Sequence, residues 1–436
     1  MPTVRHALQS LPPAVRWVLG VSLLLKLAVV ALTAHVELVL DEANYVEIAQ
    51  YFLANGHFEG AFRPPVYPLF VALCQAIGGD TATPVRVGHA LVSTATGVVL
   101  YTWLKGFVGN RGAFVSTALW CLYPVFIGFT HLLWTETVFL SLVIWFLAAV
   151  FPAGALTLKR TALAAVLYGL ASLTRSVLLP FTPFAALFVL LQSGAWRLRP
   201  QAWLRCALFL AVVGSTVFPW SVHNRVTEGR WVINETTHGY NLWKGNTDWV
   251  HPHLETGPRY PGPFKSIAMF PYEGSGDKLT ESCAAEAAET AEDALDNYSY
   301  YDVSECAQER ATAYILRYPV SFLLRGPEKL GYAFHPANLL QRALWLGNYG
   351  SVPLWAGKGL IWLTTGSYLA LLLVVLLAIV RAPRTPLSAA LVLIALYQLA
   401  VIFITFGNSR FRMPVLVMGI ILAAWLPARS ADRAEE

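Results

Sequence analysis

The chain has 436 residues, 56% of them hydrophobic and 13% charged, with 15 Trp and a formal charge of +5, and its mean hydropathy is +0.52. A water-soluble domain of this size has no use for so much apolar surface, whereas a bundle of membrane spans does. The excess positive charge lies mostly in loops between apolar stretches, which is an orientation signal for a membrane protein, so no nucleic-acid partner is implied.

A span needs roughly 20 apolar residues. Ten stretches qualify or nearly qualify: 15–40, 84–106, 110–129, 132–151, 160–174, 176–194, 201–221, 357–380, 386–406 and 411–428. The piece 160–174 is short and is expected to tilt or break. Residues 64–78 are too short to cross and read as an interfacial or re-entrant helix. Arg5 and Arg16, Lys105 and Arg111, Lys159 and Arg160, Arg197, Arg199 and Arg205, Arg381 and Arg384, and Arg429 and Arg433 mark every second loop and both ends. Short cytoplasmic loops are enriched in Lys and Arg, so both termini are expected inside. The first apolar run is too long for a cleaved signal peptide and reads as an uncleaved anchor. The expected fold is an all-α polytopic membrane protein of about ten transmembrane helices, with interfacial helices and one large helical outer loop. Its expected parts are an N-terminal bundle, 1–221, whose first outer loop is 41–83; an outer loop or lid, 222–356; and C-terminal helices with a cytoplasmic tail, 357–436.

The outer loop holds most of the hydrophilic sequence. Of the 26 acidic residues, 16 fall in 228–328. The loop starts irregularly, with NLWKGN and HPHLETGPRYPGP, and then turns Ala- and Glu-rich over 277–295. SFLLRGPEKLGYAF, further on, is apolar enough to lie on the membrane surface. Cys283 and Cys306 are the two cysteines in this loop, and an oxidising outer compartment favours pairing them over two free thiols. Cys74, Cys121 and Cys206 sit in apolar stretches as small hydrophobes.

Polar residues collect at the outer boundary. Asp41 and Glu42 open DEANYVEIAQYF, where Tyr45, Ile48, Ala49 and Phe52 recur at helical spacing; Asp41 is placed to cap that helix or to act on a substrate. Glu136 lies inside an apolar stretch, where a carboxylate costs roughly 2.5–3.5 kcal/mol to insert, so it faces a polar cavity or snorkels to the interface beside His131. Arg175, Arg410 and Arg412 run against the positive-inside trend. Their planar forks suit phosphate, and pairing with Asp41 or Glu136 would also account for them. His223, His238, His251 and His253 are outer too. His251 and His253 have loose metal-ligand spacing without a matched third and fourth ligand, so zinc is a minority reading and a divalent metal is left open, not required. No P-loop, dinucleotide fingerprint or nucleophile elbow is present.

These motifs resemble the GT-C integral-membrane glycosyltransferases, in the bacterial branch related to protein O-mannosyltransferases and lipid A aminoarabinose transferases. The matching pieces are DEANYVEIA, RPPVYPLFVAL, TETVFLSL, LTRSVLLPF, PWSVHNR, GYNLWKGN and RFRMPVL, in family order over nearly the whole length. The resemblance implies a polyprenyl-phosphate sugar donor, chemistry on the outer face of a bacterial inner membrane, and Asp41 as the catalytic carboxylate with Glu136 as a second acidic position. Many relatives carry Arg-Asn after the Pro-Trp pair; here the residues are His223 and Asn224. The expected site is therefore Asp41, Glu42 and Glu136 for catalysis and Arg63, Arg175, Arg410 and Arg412 for the donor phosphate. Tyr45, Tyr67, His223, Asn224, His238, Asn241 and Asn246 are expected toward the acceptor, which could be glycan, lipid or protein. Competing readings are an oligosaccharide ligase or polymerase, a flippase of lipid-linked sugars, and a non-catalytic scaffold. A flippase would show broken midplane helices and pseudo-symmetric halves.

Overall fold

The computed structural model describes residues 10–39, 41–192, 200–247, 283, 300–336 and 338–427. Among them every regular element is helical. The order is α1 (Pro13–Leu32), α2 (Asp41–Asn55), α3 (Val66–Gly78), α4 (Ala82–Leu122), α5 (Pro124–Phe129), α6 (Glu136–Val150), α7 (Leu158–Ser172), α8 (Thr182–Gln192) and α9 (Pro200–Thr227). There follow α10 (His238–Gly245), α11 (Tyr300–Arg317), α12 (Pro319–Phe334), α13 (Asn338–Trp345), α14 (Leu354–Arg381), α15 (Pro386–Ile404) and α16 (Met413–Leu422).

Each of the ten expected stretches is helical over most of its length. Five helices, α1, α4, α9, α14 and α15, are long and apolar enough to cross a membrane. The protein is thus an all-α, multi-pass membrane protein. The two stretches 84–106 and 110–129 form one helical run broken at Gly109, whose φ of +67° suits glycine and strains other residues. α3 has only 13 residues, too few for a crossing. α9 runs to Thr227, past the boundary expected at 221.

The centre of the bundle is α6, buried on nearly every side, as expected of a helix apolar all round. It packs against α4 and α7, and α7 packs against α9. At the Asp41 end, buried Arg86 ties the chain together by donating to the carbonyls of Thr33 (2.7 Å) and His131 (3.1 Å). His131 contacts Thr33 Oγ1 through Nδ1 and the Asn348 carbonyl through Nε2. His89 contacts the Tyr67 hydroxyl and the Thr130 carbonyl. Both imidazoles are satisfied inside the bundle.

The loop helices sit on this end. α10 packs on α11, and α12 on α15. Lys329 of α12 is 2% exposed and donates to Asn246 Oδ1 (2.9 Å) and the Phe403 carbonyl (3.1 Å). Asn246 Nδ2 donates to the Ile404 carbonyl (2.8 Å). Here Gly245 is required: a Cβ would collide with the Thr405 carbonyl oxygen. Cys283 and Cys306 are joined in a disulfide, with 6.3 Å between Cα atoms. The rest of the Ala- and Glu-rich piece 277–295 lies outside the described residues, as do His251 and His253.

Candidate active site

Two carboxylates and three arginines meet where α2, α6, the Thr174–Ser176 turn and the segment before α16 converge. Asp41 is the first residue of α2 rather than its cap, and its oxygens face side chains. Oδ1 accepts from Arg63 Nη2 (2.9 Å) and Oδ2 from Arg410 Nη1 (2.8 Å). Glu136 opens α6; its Oε1 accepts from Arg175 Nη1 (2.7 Å) and Arg410 Nε (2.7 Å), and its Oε2 from Arg410 Nη2 (3.1 Å). Arg410 is therefore shared by both acids and binds Glu136 through a fork, the geometry that guanidinium offers and ammonium does not. The Glu136 side chain is 3% exposed and that of Asp41 35%, so one acid is sealed and the other reaches open space.

Aromatic rings fix the arginines in place. Arg410 lies over Trp134 at 3.9 Å, and Arg175 stands 5.7 Å from both Phe139 and Phe411. Arg63 lies over Phe62 at 4.7 Å and Tyr45 at 5.2 Å, and donates through Nε to Asn44 Oδ1 (3.3 Å). Such stacking orients a guanidinium without neutralising it. Three arginines facing two carboxylates leave one formal positive charge. The next charges out, Lys244 beside Asp41 and Glu235 beside Arg63, cancel each other.

Burial by itself would raise the Asp41 carboxyl, but Arg63 and Arg410 override it and hold the group well below the usual carboxylate range. Arg410 is likewise held above its ordinary value by Glu136 and Asp41, against the opposing effect of burial. At rest Asp41 is an anion and a weak base.

The cluster forms one end of a cavity of about 1150 Å³, above the roughly 300–1,000 Å³ of ordinary small-molecule sites. Phe139, Leu140, Val177, Leu179, Tyr397 and Val401 give it an apolar wall on the bundle side. The opposite wing is built by residues 231–237, α10 and α11.

The expected site residues divide accordingly. Asp41, Tyr45, Arg63, Glu136, Arg175, His238, Asn241 and Arg410 all line the cavity. Six of the expected residues lie outside the cavity lining. Glu42 points into the core, accepting from Leu133 N (2.9 Å) and Asn348 Nδ2 (2.7 Å), and burial pushes its carboxyl up; it fastens α2 to the bundle. Arg412 points away from the cluster, stacks 4.1 Å above Tyr368 and donates to the His335 carbonyl (2.7 Å), so its fork holds backbone. Asn246 belongs to the Lys329 contact. Asn224 donates to the carbonyls of Val232 (2.9 Å) and Asn234 (3.3 Å), which anchors the wing without facing it. Tyr67 stands behind Tyr45, edge-on at 4.7 Å. His223 stacks on Trp220 at 4.7 Å, outside the cavity lining.

Sequence reasoning missed Trp134, Asn44, Lys244 and the hydrogen bond from Ser176 to Glu235. Trp134 stands two places before Glu136 and Lys244 lies within GYNLWKGN, so their neighbourhoods were marked although their roles were not. Among the described residues no group of three or more His, Cys, Asp or Glu is placed to hold a metal ion.

Residues 62–220 match the family model described as dolichyl-phosphate-mannose-protein mannosyltransferase. That span contains RPPVYPLFVAL, TETVFLSL and LTRSVLLPF, three of the motifs that carry the resemblance; DEANYVEIA, GYNLWKGN and RFRMPVL lie outside it. No curated protein matches the chain. Among solved structures, ArnT from Cupriavidus metallidurans bound to undecaprenyl phosphate is 16% identical, with a TM-score of 0.45 over 96% of this chain and 78% of that one. The same protein in the apo state has 16% identity and a TM-score of 0.42 over the same shares. The archaeal oligosaccharyltransferase AglB from Archaeoglobus fulgidus, in complex with an inhibitory peptide and a dolichol-phosphate, is 12% identical, with a TM-score of 0.49 over 96% of this chain and 51% of that one. This chain thus spans about half the length of AglB.

Proposed function

We propose that this chain is a GT-C superfamily glycosyltransferase related to mannosyltransferases and aminoarabinose transferases, and that it moves a hexose or pentose from a polyprenyl-phosphate donor to an acceptor hydroxyl or amine. The observation that carries this reading is the three-to-two cluster of arginines and carboxylates between an apolar wall and a polar wing. A sugar phosphodiester carries one negative charge, which matches the one positive charge left over in the cluster. The apolar wall suits the start of the lipid chain, and the wing suits the acceptor.

The reaction follows from these parts. The acceptor oxygen or nitrogen forms a bond to the sugar C1 as the C1–O bond to phosphate breaks, with inversion. The electron pair leaves on the phosphate oxygen, which becomes a dianion stabilised by Arg410, Arg175 and Arg63. The acceptor proton passes to Asp41 as general base. The resting Asp41 is too weak a base for that task. Donor phosphate competes with it for Arg63 and Arg410, and as those contacts loosen its basicity rises. Asp41 is thereby activated by the substrate. Glu136 keeps Arg410 and Arg175 aimed at the phosphate throughout. The site faces the outside of the bacterial inner membrane, with ten crossings and both termini inside. No cofactor takes part in these steps, and a divalent metal stays open.

Purified protein in nanodiscs, given a radiolabelled polyprenyl-phosphate hexose or pentose, is expected to release polyprenyl phosphate by transfer or slow hydrolysis. Arg410→Lys keeps the charge but loses the fork, and is expected to weaken donor use at least tenfold while the protein stays monodisperse. No release from either donor, or an unaffected Arg410→Lys, would overturn the reading.

A further inference from the structure

The wing built by residues 231–237, α10 and α11 has a chemistry of its own. Its charged groups are already engaged. Arg230 donates to Asp302 Oδ1 (2.9 Å) and Glu305 Oε2 (3.4 Å) and lies 5.0 Å from the Tyr301 ring. Lys244 stands over Tyr240 at 4.3 Å and Phe406 at 5.4 Å. Lys244 keeps its charge beside Asp41, while Arg230, further out, is held by two carboxylates, so that part of the wing offers a phosphorylated acceptor no unpaired cation. The backbone of this wall is committed as well. The carbonyls of Val232, Ile233 and Asn234 accept from Asn224, Ser221 and Trp220, and the Thr236 N–H donates to Ala61 O. The remaining wall is helical, so an extended peptide finds no edge to pair with.

What is left is neutral and hydroxyl- or amide-bearing. Thr237, Asn241, Tyr301 and Gln308 line the cavity, and among the described residues no side-chain hydrogen bond occupies the Thr237 or Tyr301 hydroxyl or the Asn241 or Gln308 amide. Each amide offers two donors and a carbonyl acceptor, and each hydroxyl offers one donor and lone pairs. Beside them stands the face of Trp231, which is 62% exposed. Rings of that kind cover apolar C–H faces while the amides match hydroxyls. A neutral ligand with many hydroxyls on a partly apolar ring satisfies both at once.

We infer that the wing formed by α10 and α11 is an acceptor subsite for a neutral glycan, read chiefly by Asn241, Gln308 and Tyr301. This rests on the glycosyltransferase reading of the cavity and names the acceptor class within it. The glycan lies along the wing with one hydroxyl delivered to Asp41, and it binds without a phosphate contact.

The test uses full-length protein in nanodiscs and ligand-observed NMR with four neutral hexasaccharides: mannan, arabinan, galactan and glucan fragments. A serine-threonine peptide and a monophosphoryl lipid A serve as the contrasting probes. Saturation transfer to at least one hexasaccharide is expected. In Asn241→Ala/Gln308→Ala it is expected to weaken at least tenfold, because two hydrogen bonds of about fivefold each are lost. Among the described residues neither side chain makes a hydrogen bond, so the fold is expected to hold, read as an unchanged melting temperature and a monodisperse profile. Binding of no hexasaccharide, binding indifferent to the double variant, or binding of the peptide or lipid A that the double variant abolishes would each overturn the inference. Donor hydrolysis is read separately: its absence, with hexasaccharide binding intact, would reject the transfer reaction and leave the glycan site standing.

Discussion

Asp41→Asn separates base from structural anchor. In the resting site both Asp41 oxygens accept from guanidinium, at 2.9 Å from Arg63 and 2.8 Å from Arg410. Asn keeps one acceptor and turns the other into a donor facing an arginine. One charge-assisted hydrogen bond is lost, about 1.5–3 kcal/mol in a dry site. With 35% of the Asp41 side chain exposed, water replaces much of it, and about 1 kcal/mol or less of stability is expected to go. Turnover behaves differently. Without a base it should fall about 10²–10⁴-fold, a barrier rise of about 2.7–5.5 kcal/mol. Donor affinity should move the other way. The substitution raises the cluster's formal charge from one to two and frees Arg63 and Arg410, and a unit charge near a partly hydrated phosphate is worth about 1 kcal/mol, or fivefold tighter binding. The assay is release of labelled sugar over a donor titration, with donor affinity read independently by equilibrium binding. A slower enzyme that grips its donor more tightly is the expected signature. Full turnover in Asp41→Asn would refute the base assignment, and weakened donor binding would refute the competition between phosphate and Asp41 for the arginines.

Other outcomes follow from parts away from the cluster. Burial, then Arg325, lowers the Lys329 ammonium from 10.5 to about 7. Between those values the folded chain holds it neutral while the unfolded chain protonates it, so the unfolded state binds more protons and stability rises with pH. Lys329→Met is expected to flatten the rise in melting temperature between pH 7 and 9.5, and an unchanged slope would contradict this. Cys306→Ser opens the loop closed by Cys283–Cys306, whose ends are 23 residues apart, at a cost of about 3 kcal/mol in the chain-entropy view. Amide exchange across 300–317 should accelerate, and equal exchange with and without the disulfide would speak against it. For orientation, Gly60→Cys and Val250→Cys should react with an impermeant maleimide from outside, and Val108→Cys and Ala382→Cys from inside only. An outside signal at 108 would invert the topology.

Much of the helix layout was legible because long apolar stretches bounded by Pro, Gly and charge leave few alternatives. The ordered motifs also marked the right neighbourhoods for the cluster. What the sequence could not resolve was which of two near neighbours turns inward. Asp41 and Glu42 are adjacent on a helix and so point about 100° apart, one into the cavity and one into the core. Arg410 and Arg412 sit on one 3₁₀ turn of about three residues, so they face different sides. Asn241 and Asn246, five residues apart across α10, also diverge. In each pair both members read alike as polar residues at a boundary. The difference lies in phase, which depends on where each turn begins, and a single sequence leaves helix starts loose by a residue or two.

The close packing of Gly245, Asn246 and Lys329 against the end of α15 bears on how substrates meet. α10 carries Asn241 to the cavity, and Asn246, just past its end, enters the packed seam at Ile404, six residues ahead of Arg410. With the Thr405 carbonyl where a Cβ of residue 245 would be, the short helix cannot slide along α15. The distance from the wing to the arginines is therefore set by covalent geometry and one tight seam.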